Sequence, residues 1–76
     1  MNKVRRKALS DLMARIEDLR SDLECLRDEE QEAYDNMPEG LQNSERGEAA
    51  ENAIYNLEEA LDNLDSAIES IEEATV

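Results

Sequence analysis

The chain has no histidine, no tryptophan and no phenylalanine, and it holds one cysteine, one proline, two glycines and two tyrosines among 76 residues. Each shortage excludes something. The single thiol, Cys25, has no partner for an internal disulfide, and the missing histidines remove the commonest neutral metal ligand, so no metal and no cofactor is expected. No stretch approaches the roughly 20 consecutive apolar residues that span a bilayer, and residues 1–20 lack the apolar centre of a signal peptide. These features point to a soluble chain without a membrane partner, and with the lone free cysteine to a cytoplasmic setting. Positive charge is scarce too. Eight basic residues stand against 21 acidic ones, a net charge of −13, which repels phosphate backbones and anionic lipids and attracts basic protein surfaces. Nucleic acid is therefore not expected as a direct ligand.

A chain of this length forms one domain at most, and such domains seldom bury enough apolar surface to be stable alone without a disulfide, a metal or a second copy. With 38% charged residues, disorder is the competing reading. Periodicity decides against it. Leu9, Leu12, Ile16, Leu19, Leu23 and Leu26 alternate spacings of three and four, as the a and d positions of a heptad do, and the phase continues through Glu30, Ala33 and Met37. Ile54, Leu57, Leu61, Leu64, Ile68 and Ile71 form a second ladder, preceded in phase by Gly47 and Ala50. Pro38 disfavours helical geometry at Met37, Gly40 is free to take a positive φ, and Asn43 or Ser44 suits an N-cap. The expectation is an all-α chain: an antiparallel two-helix coiled-coil hairpin with helix one at about 3–37, a loop at about 38–43 and helix two at about 44–74. Pairing a with d across the hairpin gives Leu9–Ile71, Leu12–Ile68, Ile16–Leu64, Leu19–Leu61, Leu23–Leu57 and Leu26–Ile54, whose residue numbers all add to 80, twice that of Gly40. Gly47 is read as a close approach to Ala33.

The flanking positions assign surfaces. In helix two the g positions are Ala53, Ala60, Ala67 and Ala74, which widen its apolar face and mark it as the face of a homodimer, two hairpins making a four-helix bundle. Its e positions are Glu51, Glu58, Asp65 and Glu72, opposite Met13, Arg20, Arg27 and Tyr34 of helix one. Arg20 and Arg27 are within reach of Glu58, Asp65 or Glu51, which leaves Asp62 and Glu69 as the freer members of an acidic stripe. That stripe, Glu51, Glu58, Asp62, Asp65, Glu69 and Glu72, is the candidate surface for a basic protein partner. Tyr34, Met37, Leu41 and Tyr55 are the candidate tip surface. Lys3, Arg5, Arg6 and Lys7 are expected to be neutralised by Glu69, Glu72 and Glu73.

Chemistry finds little support. Asp28, Glu30, Glu32, Tyr34, Asn36 and Glu39 have the ligand spacing of an EF-hand loop, but Ala33 stands where that loop needs glycine, and the helical phase splays the carboxylates around a cylinder. Adjacent pairs such as Glu29–Glu30 and Glu58–Glu59 lack a pocket that would shift their pKa values, so no enzyme is expected.

The segment from Leu26 to Gln42, ending Tyr34-Asp35-Asn36-Met37-Pro38-Glu39-Gly40-Leu41-Gln42, is followed by Ser44-Glu45-Arg46-Gly47-Glu48 and by repeats of the type Leu57-Glu58-Glu59-Ala60-Leu61-Asp62. It resembles small acidic coiled-coil proteins encoded in bacteriophages and prophages, most of them without assigned function. The resemblance implies a bacterial host cytoplasm and no catalytic residues. Small size and acidity are also similar to phage inhibitors that imitate DNA, some anti-CRISPR and anti-restriction proteins among them, which implies an inhibitor of a nucleic-acid-binding or defence protein. The alternative is a structural or assembly coiled coil that pairs with partner helices through its alanine flank and tip.

Overall fold

The computed structural model describes residues 1–76. It is all-helical: α1 spans Lys3–Asp35, α2 is a single turn at Glu39–Gln42, and α3 spans Glu45–Ala74. The molecule is a rod of 58 × 15 × 12 Å with a radius of gyration of 17.3 Å, against about 11 Å for a globular chain of this length. It contains no helix long and apolar enough to cross a membrane.

Local chemistry sets the helix ends. Asn2 caps α1, its Oδ1 accepting from the Arg5 N–H at 2.7 Å. At the other end the Asn36 and Met37 N–H groups donate to the Glu32 and Tyr34 carbonyls, and α1 stops two residues before the expected 37 because Pro38 takes φ −57° and ψ 146°. The chain from Pro38 to Asn43 is not an open loop. The Leu41 and Gln42 N–H groups both donate to the Pro38 carbonyl, closing α2, and the Gln42 side chain donates to the Tyr34 carbonyl at 3.0 Å, tying α2 to the end of α1. Ser44 occupies the N-cap of α3, but its hydroxyl donates backward to the Leu41 carbonyl at 2.5 Å and makes no cap bond to the helix. Glu45 and Glu48 in the first turn favour the positive end of the helix dipole instead.

Both glycines act otherwise than expected. Gly40 has no positive φ, lies in α2 and has open space where a Cβ would stand. Gly47 is buried, and a Cβ there would sit 2.0 Å from the Gln42 carbonyl oxygen and 2.6 Å from its Cα, so the close approach is to the α2 backbone and not to Ala33, which is exposed. The bend is made by α2 packing on the first turns of α3.

The long helices are antiparallel, with Arg20 meeting Asp65, Arg27 meeting Glu58 and Tyr34 meeting Glu51. The residue numbers of each pair add to 85. That is the offset e positions must show when a and d positions add to 80, so the register is the one the two ladders require. The rotation of α1 is not. On α3 the buried residues are Gly47, Ala50, Ile54, Leu61 and Ile68, with Leu57, Leu64 and Ile71 half-buried. On α1 nothing is fully buried, and the half-buried line runs Leu9, Met13, Ile16, Arg20, Leu23, Arg27, Glu30, Tyr34 and Met37, the a and e positions. The d residues Leu12, Leu19 and Leu26 are 40%, 63% and 57% exposed while Ile68, Leu61 and Ile54 opposite them are buried, so the expected pairs Leu12–Ile68, Leu19–Leu61 and Leu26–Ile54 are covered on the α3 side only. Turning α1 toward its e side lays the aliphatic stems of Arg20 and Arg27 along the seam while their guanidinium groups reach the carboxylates of α3.

Alanine at Gly40 is expected to leave stability unchanged or raise it by up to about 1 kcal/mol, since it removes backbone freedom from a helical position. Alanine at Gly47 is expected to cost about 1–3 kcal/mol through overpacking against Gln42. Urea unfolding followed by circular dichroism measures both, and the reverse order would show that the bend is made elsewhere.

Candidate interaction surfaces

The e and b positions of α3 lie side by side and form an acidic edge. Its inner row faces α1, and three of its four carboxylates, Glu51, Glu58 and Asp65, are already engaged. Asp65 receives a two-pronged bond from Arg20, Nε to Oδ1 at 2.5 Å and Nη2 to Oδ2 at 3.1 Å, and the same guanidinium reaches Glu24 at 2.7 Å. These hydrogen bonds, to Asp65 first and Glu24 second, raise the Arg20 pKa further above its ordinary value. Arg27 bonds Asp28 at 2.8 Å and reaches Glu58 at 3.5 Å. The Tyr34 hydroxyl donates to Glu51. Thus Glu51, Glu58 and Asp65, three of the six residues assigned to the stripe, help to close the hairpin.

Asp62, Glu69 and Glu72 make no side-chain hydrogen bond or ion pair and are exposed. With Glu48 they form the free part of the edge, and Asp62 and Glu69, seven residues apart, stand about 10.5 Å from each other along the axis. Glu72 has Met13 opposite it in this register, where Glu58 and Asp65 have arginines.

The tip surface is not a single patch. Tyr34 is half-buried on the seam and Met37 is half-buried at the bend, whereas Leu41 is exposed on α2. Tyr55 is ten residues into α3, about 15 Å from its start, 61% exposed, and its hydroxyl donates to Glu59 at 3.2 Å. It belongs to the outer face of the rod.

The basic N-terminus is not neutralised as expected. Lys7 pairs with Asp11 of its own helix at 2.7 Å, and no ion pair joins Lys3, Arg5, Arg6 or Lys7 to Glu69, Glu72 or Glu73. Arg15 and Arg46 are also unpaired.

On the opposite side, Ala53 and Ala60 are half-buried and Ala67 and Ala74 exposed. Beside them run Leu12, Leu19 and Leu26, a surface that a heptad reading assigns to the interior. The signal that could have exposed it is the e row of α1: Arg20, Arg27 and Tyr34 are long side chains with carboxylates level with them, which favours turning α1 that way. The one surface depression, open to solvent, is lined by Arg15, Asp18 and Leu19. No group of three metal-ligating side chains converges anywhere on the rod, and the carboxylates of the EF-hand-like spacing are distributed along α1 and α2.

The hydrogen bond to Glu51 raises the Tyr34 pKa above 10.0, with desolvation adding to it, and the bond to Glu59 does the same for Tyr55. A raised folded-state pKa means that the native state holds the phenolic proton more tightly than the unfolded chain. The contribution to stability is complete below pH 10 and is lost as pH rises through the raised value. Phenolate absorbance is therefore expected to develop above pH 10 in the folded protein, and Glu51→Gln should bring one of the two midpoints back toward 10. An unmoved midpoint would show that Tyr34 and Glu51 are not bonded in solution.

Comparison of the chain with protein-family models, with curated proteins and with solved structures finds no match.

Proposed function

We propose that the protein is a non-enzymatic interaction module, an acidic helical hairpin that self-associates and captures a basic protein surface through the free edge of α3. The observation that carries the reading is the unpaired row of Asp62, Glu69 and Glu72 on a rod of net charge −13. Glu51, Glu58 and Asp65 lie behind that row and contribute field more than contact, because their oxygens are engaged with α1.

Charge spacing supports imitation of nucleic acid. Ten carboxylates between Glu45 and Glu73 are about one per 4 Å of helix axis, near the ~3.4 Å per phosphate of one DNA strand. Net −13 over 58 Å is about one charge per 4.5 Å, and two such rods side by side reach about one per 2.2 Å, against ~1.7 Å for the duplex. A partner that normally holds a phosphate backbone in a basic groove fits this spacing, and an inhibitor of a host nucleic-acid-binding or defence protein is the corresponding role. The setting proposed with this role is a bacterial host cytoplasm, on the sequence resemblance of residues 26–48 alone.

The second reading is an assembly coiled coil that docks on helices of another protein, and the exposed leucines of α1 favour it. Salt separates the two. Proteins retained by the immobilised chain from bacterial lysate should be released between about 50 and 200 mM salt if the contact is electrostatic, and held if it is apolar. The triple variant Asp62→Lys, Glu69→Lys, Glu72→Lys should lose the salt-sensitive partner at unchanged helicity, and added duplex DNA should compete with the native chain for it. Retention of the same partner by the triple variant would exclude the acidic edge as the binding surface.

A further inference from the structure

The exposed leucines are not scattered. Leu12, Leu19 and Leu26 stand one heptad apart on the side of α1 that borders the alanine flank, and in the observed register Leu12 is level with Ala67, Leu19 with Ala60 and Leu26 with Ala53. Leu12 and Leu26 are about 21 Å apart. Outside the alanines, the next row of α3 is Ala49, Asn56, Asn63 and Ser70, so a helix with ten carboxylates carries none on this side. The face is a leucine line on α1 rimmed by Arg15, Asp22 and Glu29, and on α3 it is uncharged from Ala49 onward.

We propose that a second copy of the chain covers this face with its hairpin reversed end for end, the twofold axis passing between Leu19 and its own counterpart. Leu12 then packs on Leu26 of the second copy, and Ala53 on its Ala67. The pattern is the same read from either end, with Leu19 and Ala60 at its centre, which is what an isologous contact demands.

Charge selects this orientation. Arg5 continues the leucine line one heptad before Leu12, and a twofold through Leu19 sets it level with Ala33 of the second copy, one turn from that copy's Glu29. Arg15, in the row beside the leucine line, comes within one residue of level with Asp22 of the second copy. Lys3, Arg5, Arg6 and Arg15 are the cations that the hairpin leaves without ion pairs, apart from Arg46 near the bend. Of these, Arg5 and Arg15 border the leucine face and each has a carboxylate of the second copy within a turn.

Burial and area agree. Only five residues of the single chain are buried and no side chain is below 2% exposed, too little interior for a free-standing domain. One 58 × 15 Å side of the rod has a footprint of about 870 Å², close to the ~800 Å² per partner of a standard stable interface. The open depression at Arg15, Asp18 and Leu19 lies on the proposed axis, where the second copy's Leu19 would enter it.

This proposal deepens the self-association read above and is independent of the basic partner. In a Cys25→Ser background, Leu19→Cys should oxidise to a covalent dimer. Leu12→Cys and Leu26→Cys should cross-link when mixed and not when alone. Sedimentation equilibrium should give a dimer for the native chain and a monomer of unchanged helicity for Leu19→Glu, since Leu19 is exposed in the single hairpin. Cross-linking of Leu12→Cys with itself, as tips-together pairing would give, overturns the arrangement. A native chain that is monomeric at about 100 µM overturns the interface altogether, and if salt-sensitive capture persists in that chain, the acidic edge stands while this face fails.

Discussion

Two helices in contact touch along one line, and everything else in this molecule follows from how that line is filled. A two-helix seam covers roughly two positions per heptad on each helix, while α3 offers apolar or small residues at three, and α1 offers leucines at d in addition to long-stemmed side chains at e. The seam takes a and e from α1, because Arg20, Arg27 and Tyr34 contribute both apolar stem and polar contacts to the carboxylates opposite. The d leucines are consequently left outside. A single hairpin cannot satisfy both flanks of α1, and this surplus turns an otherwise ordinary coiled coil into a surface with something left to bind.

The two flanks of the rod have different chemistry for the same reason. On the e side, cation meets anion across the seam, so the inner acidic row is partly neutralised and only the outer row keeps its full field. The other flank has no carboxylate on α3, only Arg46 at the bend end, and its rim on α1 runs from basic at the N-terminus to acidic at the C-terminus. Acidic edge and apolar face are on opposite sides, so a hairpin paired through the leucines would still present its carboxylates outward, and pairing would raise their density.

The closest backbone approach is at the bend. Gly47 lets the Gln42 backbone approach to a distance no side chain permits, the Gln42 amide ties α2 to the end of α1, and Tyr34 is joined both to Gln42 through its carbonyl and to Glu51 through its hydroxyl. Far from this clasp, Leu9 and Ile71 are the last apolar residues of the seam, and beyond them the basic N-terminus has no carboxylate of α3 bonded to it. The rod is closed at the bend and open at its termini.

Heptad spacing alone carried the helical class, the single bend near residue 40, the antiparallel register and the facing of Arg20 and Arg27 toward the acids of α3, because each depends on periodicity and chain connectivity, both of which are local. The same pattern set Leu12, Leu19 and Leu26 deeper in the seam than they lie, and set Gly47 against Ala33 where it meets Gln42. Which of two adjacent rows turns inward is settled by the relative burial of leucine, arginine and tyrosine against one particular neighbour, and which backbone a glycine admits is settled by where α2 lands. Those are facts of contact between segments distant in sequence, which a one-dimensional pattern does not contain.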